Sequence, residues 1–205
     1  MAGLTVRPVG ESALLVECLP GEVAGVYDAA RGLLDDGRAR DVVPAATTVL
    51  LDGVADLGAV AEQVSGWDPA SAPAPVGDLV ELRVRYDGPD LDDVARLWRC
   101  SAEAAARRHA EIEYVVAFCG FAPGFGYCRG LPDELAVPRL STPRTRVPPG
   151  AVAVAGTWTA VYPTASPGGW RLLGTVADEA VRLWDPTAQP PALLCPGTRV
   201  RFVAG

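Results

Sequence analysis

The sequence predicts an α+β protein: a small two-layer α/β domain over residues 1–78, then a strand-rich domain over residues 79–205. Three observations carry this reading. In the first third, short apolar runs of strand length alternate with two amphipathic helical patterns. Between Gly66 and Asp78 (GWDPASAPAPVGD) the composition shifts to proline, alanine and glycine, as in a connection between domains. Beyond it come many short apolar runs broken by glycine or proline, which argues for a closed barrel or a sandwich. A chain of 205 residues can bury one or two cores, and 49% hydrophobic with 21% charged residues is a globular balance.

Taken in order, residues 5–9 (TVRPV) and 13–17 (ALLVE) read as a strand pair closed tightly over Gly10 and Glu11. Val23, Val26, Tyr27, Ala30, Leu33 and Leu34 recur at helical spacing, with Gly37 placed to end that helix. Thr47–Leu51 is a β-branched strand. Leu57, Val60, Ala61 and Val64 mark a second amphipathic helix, so the domain reads ββαββα. After the connection, Val80, Leu82, Val84 and Tyr86 alternate with Glu81, Arg83 and Arg85, the period of a half-buried strand. Asp90 is placed to cap a helix over Leu91–Trp98, and Ser101 one over 102–110. Ile112–Cys119, Ala151–Ala155, Val161–Tyr162, Arg171–Leu173, Val181–Trp184 and Val200–Val203 complete the expected strands.

Composition excludes several functions. Net charge is −7, spread along the chain, which argues against a nucleic-acid partner because that needs a basic face. The start (MAGLTVRPVGE) lacks the basic region and apolar run of a signal peptide, and no apolar run nears the roughly 18 residues of a membrane span. The expectation is a cytoplasmic protein that does not engage a membrane. All eighteen basic residues are arginine. The chain therefore forms no Schiff base, carries no biotin on a lysine and has no Walker A lysine. The cysteines Cys18, Cys100, Cys119, Cys128 and Cys195 show no CxxC pair, and with the single His109 they give no zinc spacing. They read as buried free thiols, and no metal site is expected.

The densest signal lies between Phe118 and Trp170. It reads FCGFAPGFGYC, then PRLSTPRTRVPPG, then VYPTASPGGW. So many prolines and glycines specify loop shape, and shaped loops on a rigid scaffold are where binding surfaces sit. Arg139, Arg144 and Arg146 can meet an anionic ligand or pair with nearby carboxylates. Pro123–Gly124 can shape a turn or line a site, and Gly168–Gly169 can form an anion nest or a sharp bend. Tyr127, Tyr162 and Trp170 suit packing or an interface as well as ligand stacking. His109 ends a predicted helix, where a cation suits the dipole. Asp133 and Glu134 read as solvated loop charges.

These segments resemble one family: the B component of bacterial ATP-dependent 5-oxoprolinase, related to a sporulation-kinase inhibitor, to allophanate hydrolase subunit 1 and to the first half of the urea carboxylase carboxyltransferase region. The matching pieces are GFAPGF at 120–125, PRL at 138–140, PRTRVPPG at 143–150, VAVAG at 152–156, VYP at 161–163, SPGGW at 166–170 and PGTRVRF at 196–202, with GESALLVE at 10–17. The resemblance implies a cyclophilin-like β-barrel for residues 79–205. It also implies the ATP-driven opening of 5-oxoproline to glutamate by a three-component complex. ATP with Mg²⁺ would act in that complex. Its other members would be a carboxyltransferase-related partner like the family's C component and a partner like its A component. The isolated chain would be inactive. Two other activities occur under the same resemblance: a carboxyltransferase or allophanate-hydrolase component of urea metabolism, and a protein that inhibits a sensor histidine kinase.

The residues expected to form a substrate or interface surface are Phe121, Pro123, Gly124, Phe125, Tyr127, Arg139, Arg144, Tyr162, Ser166, Gly168, Gly169 and Trp170. No catalytic residue is assigned. The chain departs from the family at three places. Trp158-Thr159-Ala160 stands where the family has Gln-Thr-Gly, Gly174-Thr175-Val176 where it has a Gly-Arg-Thr turn, and Cys128 where it has leucine. The first two are expected on loops at the barrel mouth.

Overall fold

A computed structural model of the chain describes residues 4–68 and 77–205. Most of the expected Gly66–Asp78 connection therefore lies outside the described residues. The chain divides into two compact units, Met1–Pro75 and Val76–Gly205.

In the first unit, β1 (Thr5–Val9), β2 (Ala13–Glu17), β3 (Asp41–Pro44) and β4 (Thr48–Asp52) form an antiparallel sheet in the order β1-β2-β4-β3. Alternation places Leu14 and Val16 of β2 opposite Leu51 and Val49 of β4, and all four are buried. Helices α1 (Val23–Asp35) and α2 (Leu57–Ser65) cover that face through Val23, Val26, Ala30, Leu33, Val60 and Val64. Burying a valine or leucine side chain of this kind contributes about 1.5–3 kcal/mol. Gly37 ends α1 as expected. Its φ of +66° lets the Gly37 amide reach the Leu34 carbonyl (3.0 Å) and the Arg38 amide reach Leu33 (2.8 Å). This is the predicted two-layer sandwich.

The second unit contains β5 (Leu79–Arg85), α3 (Leu91–Leu97), α4 (Ala102–Glu111), β6 (Glu113–Cys119), β7 (Gly126–Arg129), β8 (Arg144–Val147), β9 (Ala151–Ala155), β10 (Trp158–Val161), β11 (Ser166–Gly168), β12 (Arg171–Val176) and β13 (Arg199–Ala204). Seven of the strands close a barrel in the order β10-β7-β6-β13-β5-β12-β9, with β9 returning to β10. Of the barrel pairs, β13–β5 alone is parallel. All seven strands send side chains into one core: Leu82, Val84, Tyr114, Val116, Cys128, Val152, Val154, Val161, Leu173, Val200 and Phe202. Helices α3 and α4 add Leu91, Val94, Ala95 and Ala105 to it, with Trp98 just after α3. The α+β class and the closed barrel are as expected. Strands β8 and β11 pair with each other as a separate two-stranded ribbon inside the stretch that reads as loop.

Three local expectations fail, each for a long-range reason. Ser101 caps α4 as predicted, accepting from the Ala104 amide, but Asp90 makes no capping bond to α3. Its carboxylate instead accepts from the Leu172 amide (2.7 Å) and from Arg144 (2.7 Å). Val181–Trp184 is not a strand; it belongs to a loop held by one bridge, Trp184 to Ala192. His109 is not a helix-end cation. It is fully buried, and burial pulls its pKa down to about 3.

The His109 bonds fix its tautomer. The Thr159 hydroxyl donates its one proton to the Ala153 carbonyl (3.0 Å). His109 Nε2, 2.9 Å from that hydroxyl, must therefore carry hydrogen, and Nδ1 accepts from the Tyr86 hydroxyl at 2.8 Å. Among the described residues no buried side-chain nitrogen or oxygen lacks a partner. The five cysteines are free thiols, but only Cys128 is fully buried, which pushes its thiol up to about 12.

Candidate functional site

Strands β9 and β10 are buried on both sides, so they have an inner and an outer environment. Val152, Val154 and Val161 join the barrel core, whereas Ala151, Ala153, Ala155 and Ala160 join a second cluster on the outer wall. The pairing Ala153↔Ala160 makes this outer surface flat and shallow. Large aromatics fill the space left by the alanines. Phe125 meets Tyr127, Tyr162 and Trp170 edge-on at 5.0–5.7 Å, and Phe118 stacks on Tyr127 at 4.4 Å. Phe125, Tyr162 and Trp170 are buried here, so the packing reading holds for them. Burial also raises the Tyr127 and Tyr162 hydroxyls, against the opposing pull of Arg139.

The GFAPGF segment makes two consecutive tight turns over this cluster. The Ala122 amide donates to the Gly120 carbonyl (2.8 Å), which puts Phe121 at the centre of a three-residue turn with φ +71°. That conformation is strained for any residue with a side chain. The Phe125 amide donates to the Ala122 carbonyl (2.9 Å), with Pro123 first and Gly124 second at the corner. Gly124 has φ +81°, the requirement of a type II turn. A Cβ on Gly124 would also lie 2.7 Å from the Leu183 carbonyl. Pro123 and Gly124 thus shape the loop, and what they hold out is Phe121, which is 60% exposed.

The three arginines part company. Arg144 donates to the buried Asp90 at 2.7 Å, the carboxylate-pairing alternative. Arg139 forms no ion pair among the described residues. Its guanidinium lies 5.9 Å from the Trp170 ring centre, and its segment is fixed by Leu140 amide to Gly169 carbonyl (2.8 Å) and Arg171 to the Pro138 carbonyl (3.1 Å). Arg146 is exposed. Gly168 lies in β11, where a Cβ would collide with the Tyr162 hydroxyl, so it permits packing and is not an anion nest. Gly169 sits against Pro143, and Ser166 turns its hydroxyl to the Thr164 carbonyl.

Beside this loop is a groove of about 420 Å³, within the usual range for a small-molecule site. Its floor is Pro149–Gly150, Pro163–Thr164 and Thr175–Val176, and its far wall is the loop from Ala177 to Trp184. Gly124 packs against Leu183 and Trp184, two residues of that wall, so groove and motif loop share them. Arg85, Arg182, Asp178 and Glu179 supply its charges. Sequence reasoning missed these four, because they come from distant, locally unremarkable segments. The family departures also take new positions. Trp158 and Ala160 belong to strand β10, packing outward, and Thr175 lies near the end of β12 opposite Arg85. They are not loops at a barrel mouth.

Similarity to known proteins agrees with this architecture. Residues 4–194 match the family described as carboxyltransferase domain, subdomain C and D. The chain is 36% identical over 206 residues to the B component of 5-oxoprolinase from Escherichia coli O157:H7, covering 95% of this chain and 93% of that protein. The crystal structure of TTHA0988 superposes with a TM-score of 0.78 at 34% identity over 95% of this chain, which spans only 40% of that longer one. Urea amidolyase of K. lactis shares the fold alone, with a TM-score of 0.71 at 16% identity over 98% of this chain and 15% of that one. The chain belongs to the carboxyltransferase-domain family, subdomains C and D, in the branch of the 5-oxoprolinase B components.

Proposed function

We propose that this chain is the B component of an ATP-dependent 5-oxoprolinase that opens 5-oxo-L-proline to L-glutamate, and that it is inactive alone. The observation that carries this is the nearly end-to-end match to a protein named as the B component of 5-oxoprolinase. The chain's own chemistry supports a shared site. An unactivated lactam resists water, and phosphorylation of its oxygen by ATP creates a leaving group. That step needs Mg²⁺ and a strong phosphate site.

The residues present do not fit such a site by themselves. There is no lysine in the chain, and among the described residues no group of three or more His, Cys, Asp or Glu is placed to hold a metal. In this proposal the nucleotide and its metal are held elsewhere in the complex or jointly with the partners, which are a carboxyltransferase-related chain like the family's C component and a chain like its A component. Phe121 and Arg139 are the contact points offered to that assembly. Biotin is not carried here, for want of a lysine. No helix among the described residues is long and apolar enough to cross a membrane. A cytoplasmic location for the complex is part of the proposal.

The test is reconstitution. Purified chain should show no 5-oxoproline-dependent ATP hydrolysis, and adding both partners should produce it together with glutamate. Robust turnover by the chain alone, or none by the assembled three components, would refute the proposal.

A further inference from the structure

We infer that the groove between Pro149–Gly150 and the 177–184 loop is the site for the anionic lactam, with Arg85 and Arg182 taking its carboxylate. The inference rests on the 5-oxoprolinase reading for the identity of the ligand. It rests on the groove's own chemistry for the place.

The groove of about 420 Å³ is lined by three kinds of group, and a lactam acid needs all three. A carboxylate needs guanidinium donors. Arg85 commits its Nε to Asp87 (3.2 Å) and Arg182 one terminal nitrogen to the Glu179 carbonyl (2.6 Å), and both keep further N–H groups. Thr175 is the cross-strand partner of Arg85, and both residues line the groove. The lactam N–H needs an acceptor, and the same 177–184 loop that carries Arg182 also brings Asp178 and Glu179 to the groove. Neither forms an ion pair among the described residues; Asp178 Oδ1 accepts from the Ala180 amide (2.9 Å), which leaves Oδ2. The ring methylenes need apolar walls, supplied by Pro149, Pro163 and Trp184. The amine released by ring opening would become an ammonium facing the same two carboxylates.

The position is built firmly. The Gly150 amide donates to Tyr162 (2.7 Å), the Val176 amide to Gly150 (2.9 Å) and the Ala177 amide to Arg83 (2.8 Å), which ties three sides of the groove to the barrel. The packing of Gly124 against Leu183 and Trp184 then makes the GFAPGF turn a support for that wall. The arginines are positioning residues in this scheme; they orient the carboxylate and take no part in bond breaking.

The experiment uses the complex of all three components with Arg182→Gln, Arg85→Gln and the conservative Arg182→Lys. Loss of a charge-assisted hydrogen bond should raise KM for 5-oxo-L-proline about 10- to 100-fold, with kcat changed less than about twofold. Arg182→Lys should recover part of the loss. The probe 2-pyrrolidinone keeps the ring and lacks the carboxylate, so any inhibition it gives should be equal in wild type and variants. An unchanged KM in both glutamine variants, or an equal loss of 2-pyrrolidinone inhibition, overturns the groove assignment and leaves the proposed function standing. A wild-type complex without 5-oxoproline-dependent turnover overturns the proposed function itself.

Discussion

The two sides of the β9–β10 wall share a backbone and differ in everything else. Inward, Val152, Val154 and Thr159 meet a complete core in which even the polar groups are paired: His109, Thr159 and Tyr86 close on one another and on the Ala153 carbonyl. Outward, alanines leave room for a cluster of aromatic rings, of which Phe121 is held in a strained, exposed turn. Strain that packing does not require is a mark of function, whereas a satisfied buried network is a mark of structure. The one histidine, read from the sequence as a helix-end cation, belongs to the structural side.

Arg144 is the sharpest test of that division, because it lies in the motif stretch yet behaves as a structural residue. Arg144→Ala leaves the Asp90 carboxylate buried with the Leu172 amide as its remaining partner. Allowing for the partial exposure of the arginine, the expected cost is about 2 kcal/mol, read by urea unfolding. A stability change below about 0.5 kcal/mol would return Arg144 to the functional side.

The inner network predicts a smaller, pH-dependent effect. Burial depresses the His109 pKa to about 3 from its ordinary 6.5. Above pH 6.5 the imidazole is neutral in both states, and its contribution to stability is fully present. As pH falls, the unfolded chain binds a proton that the folded chain refuses until about pH 3, so stability is lost across that window. The slope approaches ~1.4 kcal/mol per pH unit. Unfolding at about pH 6.5 and about pH 5, above the main carboxylate range, should show a loss of about 1.5 kcal/mol that His109→Gln removes. An identical pH slope in the variant would mean that His109 is not held neutral by the fold.

Legibility in the sequence follows the range of the interactions. Strands β5 and β9, helices α1 and α2 and the Gly37 helix end are readable because period and local turn chemistry specify them. The Pro123–Gly124 turn is readable for the same reason. Asp90 looks like a cap because its sequence neighbourhood is that of a cap; its partners, Leu172 and Arg144, are 82 and 54 residues away. Strands β8 and β11 are hidden because the prolines and glycines in and around both segments mask a short ribbon. The groove is invisible because Arg85, Thr164, Thr175, Asp178 and Arg182 converge only when the barrel closes. No spacing between them carries a signal.

The division between a structural interior and a functional outer wall is tested most directly by comparing Phe121→Ala with His109→Gln. The measurement is 5-oxoproline-dependent ATP hydrolysis by the assembled three components, at about pH 7 and a temperature where both variants are folded. Phe121→Ala removes a ring that is 60% exposed and meets Phe125 and Tyr162 edge-on, so unfolding stability should fall by about 1 kcal/mol or less while activity falls at least about tenfold. His109→Gln should be less stable and retain activity within about twofold of wild type. Full activity in Phe121→Ala alongside a folded but inactive His109→Gln would contradict the account.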